Sequence, residues 1–421
     1  MSAQPSAADL DLLCITTIRT LAMDAVERAR SGHPGTPMAL APLAYLLYTR
    51  HLRHSPRHPG WPDRDRLVLS AGHASMLLYA TLHLTGYDLP LDELRNFRQW
   101  GSRTPGHPER GHTPGVETTT GPLGQGFANA VGMALAEAHL AARFNRDAHR
   151  VVDHRTYVIA SDGDLMEGIS HEAASLAGHL GLGKLTVFYD DNRITIEGAT
   201  DLAFSEDVGR RFEAYGWHVQ RVADGNDLAA LDAAVRAAES ETARPSLVIV
   251  RTHIGFGSPN KQDTSEAHGA PLGKQEIALT KQAYGWPAEE TFRVPEAARA
   301  HCAGCVERGV RFEAAWRERV MAHEAALPEP AAEWRAALAG ELPRGWDTAL
   351  PMFGPKDGAQ ATRAVSGKVL NALAPVVGTL IGGSADLAPS NNTFLKGVAD
   401  CSASHPEGRN LHFGIREHGM G

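Results

Sequence analysis

Cysteine is scarce in this sequence, and four residues of 421 are too few for a disulfide framework. Long apolar runs are missing as well, since no stretch reaches the roughly 18–20 residues needed to span a bilayer. The first residues, MSAQPSAADLDLL, lack the basic start and apolar core of a signal peptide. Acidic residues outnumber basic ones, and the net charge of −8 argues against nucleic-acid and acidic-membrane partners. These absences predict a cytoplasmic globular protein.

Common cofactor signatures are also absent. No G-x-G-x-x-G follows a strand and no G-x-x-x-x-G-K-[ST] occurs, which excludes the usual dinucleotide and P-loop sites. Cys302 and Cys305 form a lone C-x-x-C, which we interpret as two ordinary cysteines of a helical connector. The 21 histidines do not recur with carboxylates at metal-site spacings, so a multi-histidine transition-metal site is the weaker alternative.

Short apolar strands alternate with helices along the first part of the chain. The pattern predicts a helix over 9–30, a helix ending near 144 and another over about 165–180. Strands are predicted at 67–69 and in the stretches TYVIAS, LTVFYD and SLVIVR. Strands this short and apolar, separated by helices, predict an α/β fold with a doubly wound, mostly parallel sheet and helices on both faces.

The last part of the chain predicts the incomplete start of a second α/β domain. Residues 287–350 show helical stretches but no strand, and a helix over 361–374 and a strand over 376–382 follow. About 70 residues remain after 350, whereas such a domain usually needs about 100. We therefore predict one domain over 1–325, including the helical connector, and a linker with a domain fragment over 326–421.

Two polar residues follow neighbouring predicted strands. Asp162 comes after TYVIAS, and Asn192 comes after LTVFYD, 30 residues later. Ligands of open α/β sheets bind beyond the carboxyl ends of the strands, and oxygen donors of this kind suit Mg²⁺ or Ca²⁺ with a diphosphate. Gly163 would let the backbone approach a phosphate closely. Alternatively, Asp162 caps a helix and Asn192 makes a turn.

Several histidines lie in loops fixed by glycine or proline. They are His33, His73, His107, His112 and His268. Such loops carry functional residues more often than cores do, and imidazoles can hydrogen-bond sugar hydroxyls and move protons. The chain then ends in IREHGMG, where Glu417 stands between basic residues. A surface Glu417 paired with Arg416 or a lysine is the alternative to a catalytic carboxylate.

The stretches that carry these residues together resemble the transketolase family of thiamine-diphosphate enzymes. They include SGHPG, LSAGHASMLLYA, TTTGPLGQG, SDGDLMEGISHEA, YDDNRITIEG, EAHGAPLG, IGGSADLAPSN and HFGIREHGMG. The resemblance covers residues 9–421 and implies a thiamine-diphosphate-binding fold. The first domain would bind diphosphate and metal, and the fragment would begin the pyrimidine-binding domain.

The resemblance implies roles for individual residues. The metal, Mg²⁺ or else Ca²⁺ or Mn²⁺, would be held by Asp162, Asn192 and the backbone carbonyl of Ile194. The residues that would contact the cofactor are His73, Gly121, Pro122, Leu123, Gly163, Glu167, Asn192 and His268. The residues that would contact a sugar phosphate are His33, His107, His268, Arg363, Asp386 and Ser390. The catalytic residues would be Glu417, His33 and His268.

The implied reaction is the reversible transfer of a two-carbon ketol unit through the C2 carbanion of thiamine. Donors would be xylulose 5-phosphate or sedoheptulose 7-phosphate, and acceptors ribose 5-phosphate or erythrose 4-phosphate, as in the pentose phosphate pathway and the Calvin cycle. Glu417 would activate the aminopyrimidine, and His33 and His268 would move protons on the sugar hydroxyls. A homodimer with active sites between the subunits, linked through Glu167, is implied.

The chain departs from the family pattern at its end. Members of the family continue beyond this point and complete the pyrimidine-binding domain before a third, C-terminal domain. We therefore expect a fragment that is inactive alone. A half of a split enzyme and a non-catalytic cofactor-binding module are alternatives. Dihydroxyacetone synthase and 1-deoxyxylulose-5-phosphate synthase are the nearest alternative enzymes.

Overall fold

A five-stranded, entirely parallel sheet forms the centre of the protein in the computed structural model, which describes residues 6–146 and 149–421. Its strands are β1 (Arg66–Leu69), β2 (Thr156–Ser161), β3 (Leu185–Asp191), β4 (His218–Val222) and β5 (Ser246–Arg251). They lie in the order β1-β2-β3-β5-β4. A separate pair, β6 (Gly382–Ser384) and β7 (Asn410–His412), is also parallel.

Fifteen α-helices occur in the described part of the chain. They are α1 (Ala7–Ala29), α2 (Gly35–Leu46), α3 (Ser75–Leu84), α4 (Leu91–Arg95), α5 (Gln125–Phe144), α6 (Asp162–Met166), α7 (Gly168–His179), α8 (Val208–Ala214), α9 (Leu228–Ser240), α10 (Lys274–Ala283), α11 (Glu296–Ala326), α12 (Pro328–Ala339), α13 (Thr362–Leu373), α14 (Ala388–Asn391) and α15 (Glu417–Met420). No helix among these residues is both long enough and apolar enough to cross a membrane.

Both faces of the large sheet are covered by helices. Leu67 and Leu69 of β1 pack on one side in a core with α1, α2, α3 and α9, whereas Val68 packs on the other side with α5, α7 and α8. This alternation follows from the two-residue period of a strand, and burial on both faces explains why the strands are almost wholly apolar. The predicted doubly wound α/β fold is confirmed.

Local sequence signals set the helix that leads to the first histidine loop. Ser6 and Asp9 form a capping box at the start of α1. The helix ends at Arg30, whose φ of 52° is left-handed, and the chain then turns through Gly32 with φ of 134°. A side chain at position 32 would meet Phe97 at 2.9 Å. Glycine is therefore required where the chain turns towards His33.

Strand β4 was not predicted from the sequence. It lies at the edge of the sheet and pairs only with β5, and four of its five residues, His218–Arg221, are partly or fully exposed. An edge strand with polar residues on its open side lacks the apolar run that revealed the other four.

The prediction of a strand over 376–382 is wrong for all but its last residue. Residues 374–380 form turns, and β6 begins at Gly382. The guanidinium of Arg409 donates hydrogen bonds to the carbonyl groups of Ala374, Val377, Gly378 and Leu380. These bonds satisfy carbonyl groups at the end of α13, so the apolar residues 376 and 377 lie in a turn. The predicted helix over 361–374 is confirmed as α13.

The connector carries two of the cysteines, as predicted. All four cysteines are free and buried, and the Sγ atom of Cys302 on α11 lies 3.6 Å from the Sγ atom of Cys14 on α1. In residues 6–146 and 149–421, no group of three or more His, Cys, Asp or Glu side chains is arranged to hold a metal ion.

Candidate cofactor site

The two predicted metal ligands lie at neighbouring strand ends. Strands β2 and β3 are adjacent and parallel, with Ser161 opposite Asp190. Asp162 and Asn192 therefore follow the same edge of the sheet, and each is 3% exposed. The parallel register brings together two residues that are 30 positions apart.

Asp162 presents one carboxylate oxygen without a protein partner. The hydroxyl of Tyr189 donates a hydrogen bond to Oδ1, whereas the buried Oδ2 accepts none from the described residues. Burial raises the pKa of Asp162 to about 7, helped by the nearby Asp190 and Asp191 and opposed by the Tyr189 hydrogen bond. A buried, unpaired carboxylate oxygen is costly unless a cation binds it, so this residue fits a metal ligand.

Asn192 is held in one orientation. Its Nδ2 donates to Oδ2 of Asp190 at 2.7 Å, and its Oδ1 accepts from the backbone N–H of Ile194 at 2.8 Å. The second contact is the turn that the alternative interpretation predicted. Ser161, and not Asp162, caps α6, so the capping alternative for Asp162 is wrong. Carboxylate, amide and carbonyl oxygens are donors that Mg²⁺ accepts.

Asp164 was missed in the sequence, although it completes a capping-box pattern with Ser161. Its Oδ1 accepts hydrogen bonds from Ser70 Oγ at 2.6 Å and from the backbone N–H of Gly124 at 2.8 Å. Its Oδ2 accepts from the backbone N–H and the hydroxyl of Ser161 at 2.8 and 2.9 Å. This fully buried carboxylate therefore joins the ends of β1 and β2 to the loop before α5.

The glycine-rich loop before α5 packs against the same strand ends. Gly121 has φ of 149°, and a side chain on Gly72 would come within 2.7 Å of its backbone nitrogen. A side chain on Gly163 would meet Leu123 at 2.8 Å. The structure thus packs Gly121 against Gly72 and Leu123 against Gly163, and the positive φ of Gly121 favours glycine there.

Three of the predicted histidines form a cluster beside this loop. The ring centroids of His33 and His73 lie 5.0 Å apart, those of His73 and His268 5.2 Å, and those of His33 and His268 5.7 Å. His33 Nδ1, His73 Nε2 and His268 Nδ1 are buried without a hydrogen-bond partner in the part of the chain that the structure describes. His107 packs 3.4 Å from the position of a Cβ on Gly121. Unpaired nitrogens of this kind suit a polar ligand.

The environment keeps these histidines neutral. Burial lowers the pKa of His33 to about 4, and His268, Arg98 and His107 add to the effect. Burial also lowers the pKa of His73, with contributions from His268 and His33, and the pKa values of His107 and His268. Neutral imidazoles can donate at one nitrogen and accept at the other.

We expect the His33 ring to stay neutral at pH 6. The pKa of His33 in the folded protein lies below the ordinary value of 6.5. The contribution of His33 to the free energy of unfolding is therefore present above about pH 6.5 and is lost as the pH falls to about 4. Ring ¹⁵N spectra, assigned with a His33→Asn variant, measure the protonation directly. A His33 midpoint near pH 6.5 would contradict the structure.

Arg98 and Ile196 are two neighbours of the histidines that sequence reasoning missed. Arg98 has φ of 60°, its Nη1 donates to Ser31 Oγ at 2.8 Å, and its buried Nε has no partner. Ile196 is exposed, and its Cδ1 lies 3.3 Å from the position of a Cβ on Gly269. Neither residue carried a local signal, because each reaches the cluster only through the fold. His112 instead bonds the carbonyl of Ser102 at 2.7 Å.

The predicted residues of the second unit lie apart from this cluster. Asp386 lines a cavity of about 420 Å³ at the ends of β6 and β7. Arg363 and Ser390 are exposed on α13 and α14. Among the described residues, no hydrogen bond or ion pair joins these three side chains to the histidines.

The final motif is anchored by residues other than its glutamate. Gly419 N–H donates to Oε2 of Glu172 on α7 at 2.7 Å, and Arg416 Nη2 donates to Ser175 Oγ at 3.0 Å. Glu417 is exposed and, among the described residues, makes no ion pair, so the alternative pairing with Arg416 is wrong. Glu167, which precedes α7, lies beside the glycine-rich loop, with its Cβ 3.0 Å from the position of a Cβ on Gly124.

Two family profiles match the chain. A family profile described as "Transketolase, thiamine diphosphate binding domain" matches residues 10–343. A second, "Transketolase, pyrimidine binding domain", matches residues 358–421. The fold and the site therefore define a protein of the thiamine-diphosphate-binding class. The chain belongs to the transketolase family, as the sequence motifs suggested.

Relatives match almost the whole chain. A transketolase from Geobacillus stearothermophilus is 55% identical over 416 residues, covering 99% of this chain and 62% of its own length. A chloroplastic transketolase-1 from Arabidopsis thaliana is 54% identical, covering 97% of this chain and 55% of its own. The chain thus spans about three fifths of the length of these relatives.

Solved structures confirm the fold. The structure of a Pichia stipitis transketolase in complex with sedoheptulose 7-phosphate superposes with a TM-score of 0.95 at 47% identity, covering 98% of this chain and 61% of that one. A transketolase from Leishmania mexicana gives a TM-score of 0.95 at 46% identity, covering 99% and 62%.

Proposed function

We propose that this chain forms part of a transketolase that moves a two-carbon ketol unit from a ketose phosphate to an aldose phosphate. Donors are xylulose 5-phosphate and sedoheptulose 7-phosphate, and acceptors are ribose 5-phosphate and erythrose 4-phosphate. The observation that carries the proposal is the unpaired, buried Oδ2 of Asp162 next to Asn192. It stands at the carboxyl edge of the sheet, where such folds bind ligands.

Thiamine diphosphate with Mg²⁺, or else Ca²⁺ or Mn²⁺, is the proposed cofactor. Asp162, Asn192 and the carbonyl of Ile194 would hold the metal. When bound, the thiazolium ring supplies the nucleophilic carbon that accepts the two-carbon unit. The residues proposed to contact the cofactor are His73, Gly121, Pro122, Leu123, Gly163, Glu167, Asn192 and His268. The close packing of Gly121 against Gly72 and of Leu123 against Gly163 supports this placement.

The histidine cluster would handle protons on the sugar. His33 and His268 have unpaired ring nitrogens and lowered pKa values caused mainly by burial. A neutral imidazole can accept a proton from a hydroxyl that becomes a carbonyl and return it in the reverse step. His107 and Arg98 stand beside them and would bind sugar hydroxyls.

The second unit would serve a neighbouring subunit. Glu417 is exposed on α15, which is held by α7, and among the described residues it makes no hydrogen bond or ion pair with the histidines of its own chain. A homodimer would let it reach the aminopyrimidine of the partner's cofactor, with Glu167 between the two sites. Arg363 and Ser390 would bind the sugar phosphate, since a guanidinium suits phosphate oxygens, and Asp386 would contact the substrate nearby.

We further propose that the protein acts in the cytoplasm, in the pentose phosphate pathway or the Calvin cycle. The proposed domains are residues 1–325 and 326–421. The fragment, split-enzyme and binding-module alternatives also stay open. None of them changes the residues proposed for the metal and the diphosphate.

Activity is tested with the longest product of the gene, supplied with Mg²⁺ and thiamine diphosphate. Xylulose 5-phosphate and ribose 5-phosphate should yield glyceraldehyde 3-phosphate and sedoheptulose 7-phosphate. A preference for formaldehyde as acceptor would favour dihydroxyacetone synthase instead. Condensation of pyruvate with glyceraldehyde 3-phosphate would favour 1-deoxyxylulose-5-phosphate synthase.

A further inference from the structure

Two side chains stand behind the proposed metal ligands and have no role in the function proposed above. They are the consecutive residues Tyr189 and Asp190 of β3. Successive residues of a strand point to opposite faces, and each of these two reaches a different ligand. Tyr189 bonds Asp162, and Asp190 bonds Asn192.

The Tyr189 hydroxyl fixes which oxygen of Asp162 is free. Tyr189 is 5% exposed, and its ring packs in the core between the sheet and α5, α7 and α8. Its hydroxyl donates to Oδ1 of Asp162, which leaves Oδ2 as the carboxylate oxygen that has no partner among residues 6–146 and 149–421. The rigid ring therefore sets both the position and the rotation of the carboxylate.

Asp190 fixes the orientation of the Asn192 side chain, as Tyr189 does for Asp162. Its Oδ2 accepts from Nδ2 of Asn192 at 2.7 Å, and its Oδ1 accepts a hydrogen bond from the hydroxyl of Thr252, the residue after β5. An amide that donates to a carboxylate must turn its oxygen the other way. The Oδ1 atom of Asn192 is thus directed away from the strand and towards the loop of Ile194.

We propose that Tyr189 is a positioning residue for the metal, which acts by holding Asp162 so that one oxygen faces the cation. The inference rests on the proposed function, because it presumes that Asp162 binds a metal. Hydrogen-bonded partners of metal ligands commonly change metal affinity by 10–100-fold when they are removed. A role limited to packing would require only the ring, which phenylalanine retains.

The test compares Tyr189→Phe with Tyr157→Phe. Tyr157 is a matched control, since it lies buried on the neighbouring strand β2 and donates to a carboxylate, Glu239 Oε1, at 2.8 Å. Mn²⁺ is titrated into each protein with thiamine diphosphate present, and free Mn²⁺ is followed by electron paramagnetic resonance. We expect a 10–100-fold higher Kd for Tyr189→Phe and less than a twofold change for Tyr157→Phe. Urea midpoints of the unliganded proteins are measured in parallel.

The results of this titration distinguish the positioning role of Tyr189 from the proposed metal site itself. If the wild type binds Mn²⁺ and Tyr189→Phe binds it within twofold as tightly, the positioning role is refuted while the proposed function stands. An equal loss in Tyr157→Phe would also refute it, because the effect would be a general consequence of deleting a buried hydroxyl. If the folded wild type binds no Mn²⁺, the proposed metal site itself fails.

Discussion

Replacing Asp162 by Asn is expected to remove metal-dependent cofactor binding. The substitution keeps the shape and an oxygen that can accept from Tyr189, but it puts an amide nitrogen in place of the unpaired Oδ2. We expect an affinity loss of more than about 100-fold, because removing an outer partner of a ligand already costs 10–100-fold. Calorimetric titration with thiamine diphosphate and Mg²⁺ measures the loss.

The stability of this variant has a defined pH dependence. Burial raises the pKa of Asp162 to about 7 in the folded protein, above its ordinary value of 3.8. The group therefore contributes stability that is present below about pH 4 and is lost as the pH rises through about 7. The Asn variant lacks this dependence, so its stability relative to the wild type in urea denaturation should rise from pH 4 to pH 7. An Asp207→Asn control, at an exposed helix cap, should bind like the wild type, and wild-type affinity in Asp162→Asn would contradict the assignment.

Replacing Asp164 by Ala is expected to cost about 3–5 kcal/mol of the free energy of unfolding. The carboxylate is fully buried and accepts from the backbone N–H groups of Gly124 and Ser161. Each buried donor left without a partner costs about 1–3 kcal/mol, and the hydroxyl partners Ser70 and Ser161 lose their bonds too. Urea denaturation of the unliganded protein measures the change.

Asp227→Ala is the matched control for that experiment. The Asp227 carboxylate also accepts from two backbone N–H groups, those of Ala229 and Ala230, but at an exposed helix start. Loss of such a cap costs about 1 kcal/mol, because water replaces the carboxylate. If Asp164→Ala costs no more than Asp227→Ala, the buried carboxylate does not hold the strand ends and the glycine-rich loop together.

The sequence was sufficient for features that depend on neighbouring residues or on regular geometry. Four short apolar strands predicted a parallel sheet, and parallel strands end at the same edge, so the adjacency of Asp162 and Asn192 followed directly. Strand β4 was not predicted because its exposed residues are polar. The apolar stretch near 376 was misread because the carbonyl groups there are held by Arg409, which lies about 30 residues away.

Part of the candidate cofactor site could be predicted from the sequence, and part of it depends on the tertiary structure. The histidine loops were visible one by one, but the 5.0–5.7 Å spacing of their rings depends on tertiary structure. Tyr189 and Arg98 carried no signal, because a strand tyrosine and a loop arginine are common residues. The motif at residues 415–421 gave no sign of its contacts with α7. Arg416 and Gly419 make these contacts, and Glu417 is left exposed.

The most direct test of the central claim is a crystal of this chain grown with Mn²⁺ and thiamine diphosphate, with anomalous data collected near the manganese edge. We expect one strong anomalous peak within coordination distance of Asp162 Oδ2, Asn192 Oδ1 and the carbonyl oxygen of Ile194. A peak among His33, His73 and His268 instead, or bound cofactor with no metal at the ends of β2 and β3, would contradict it.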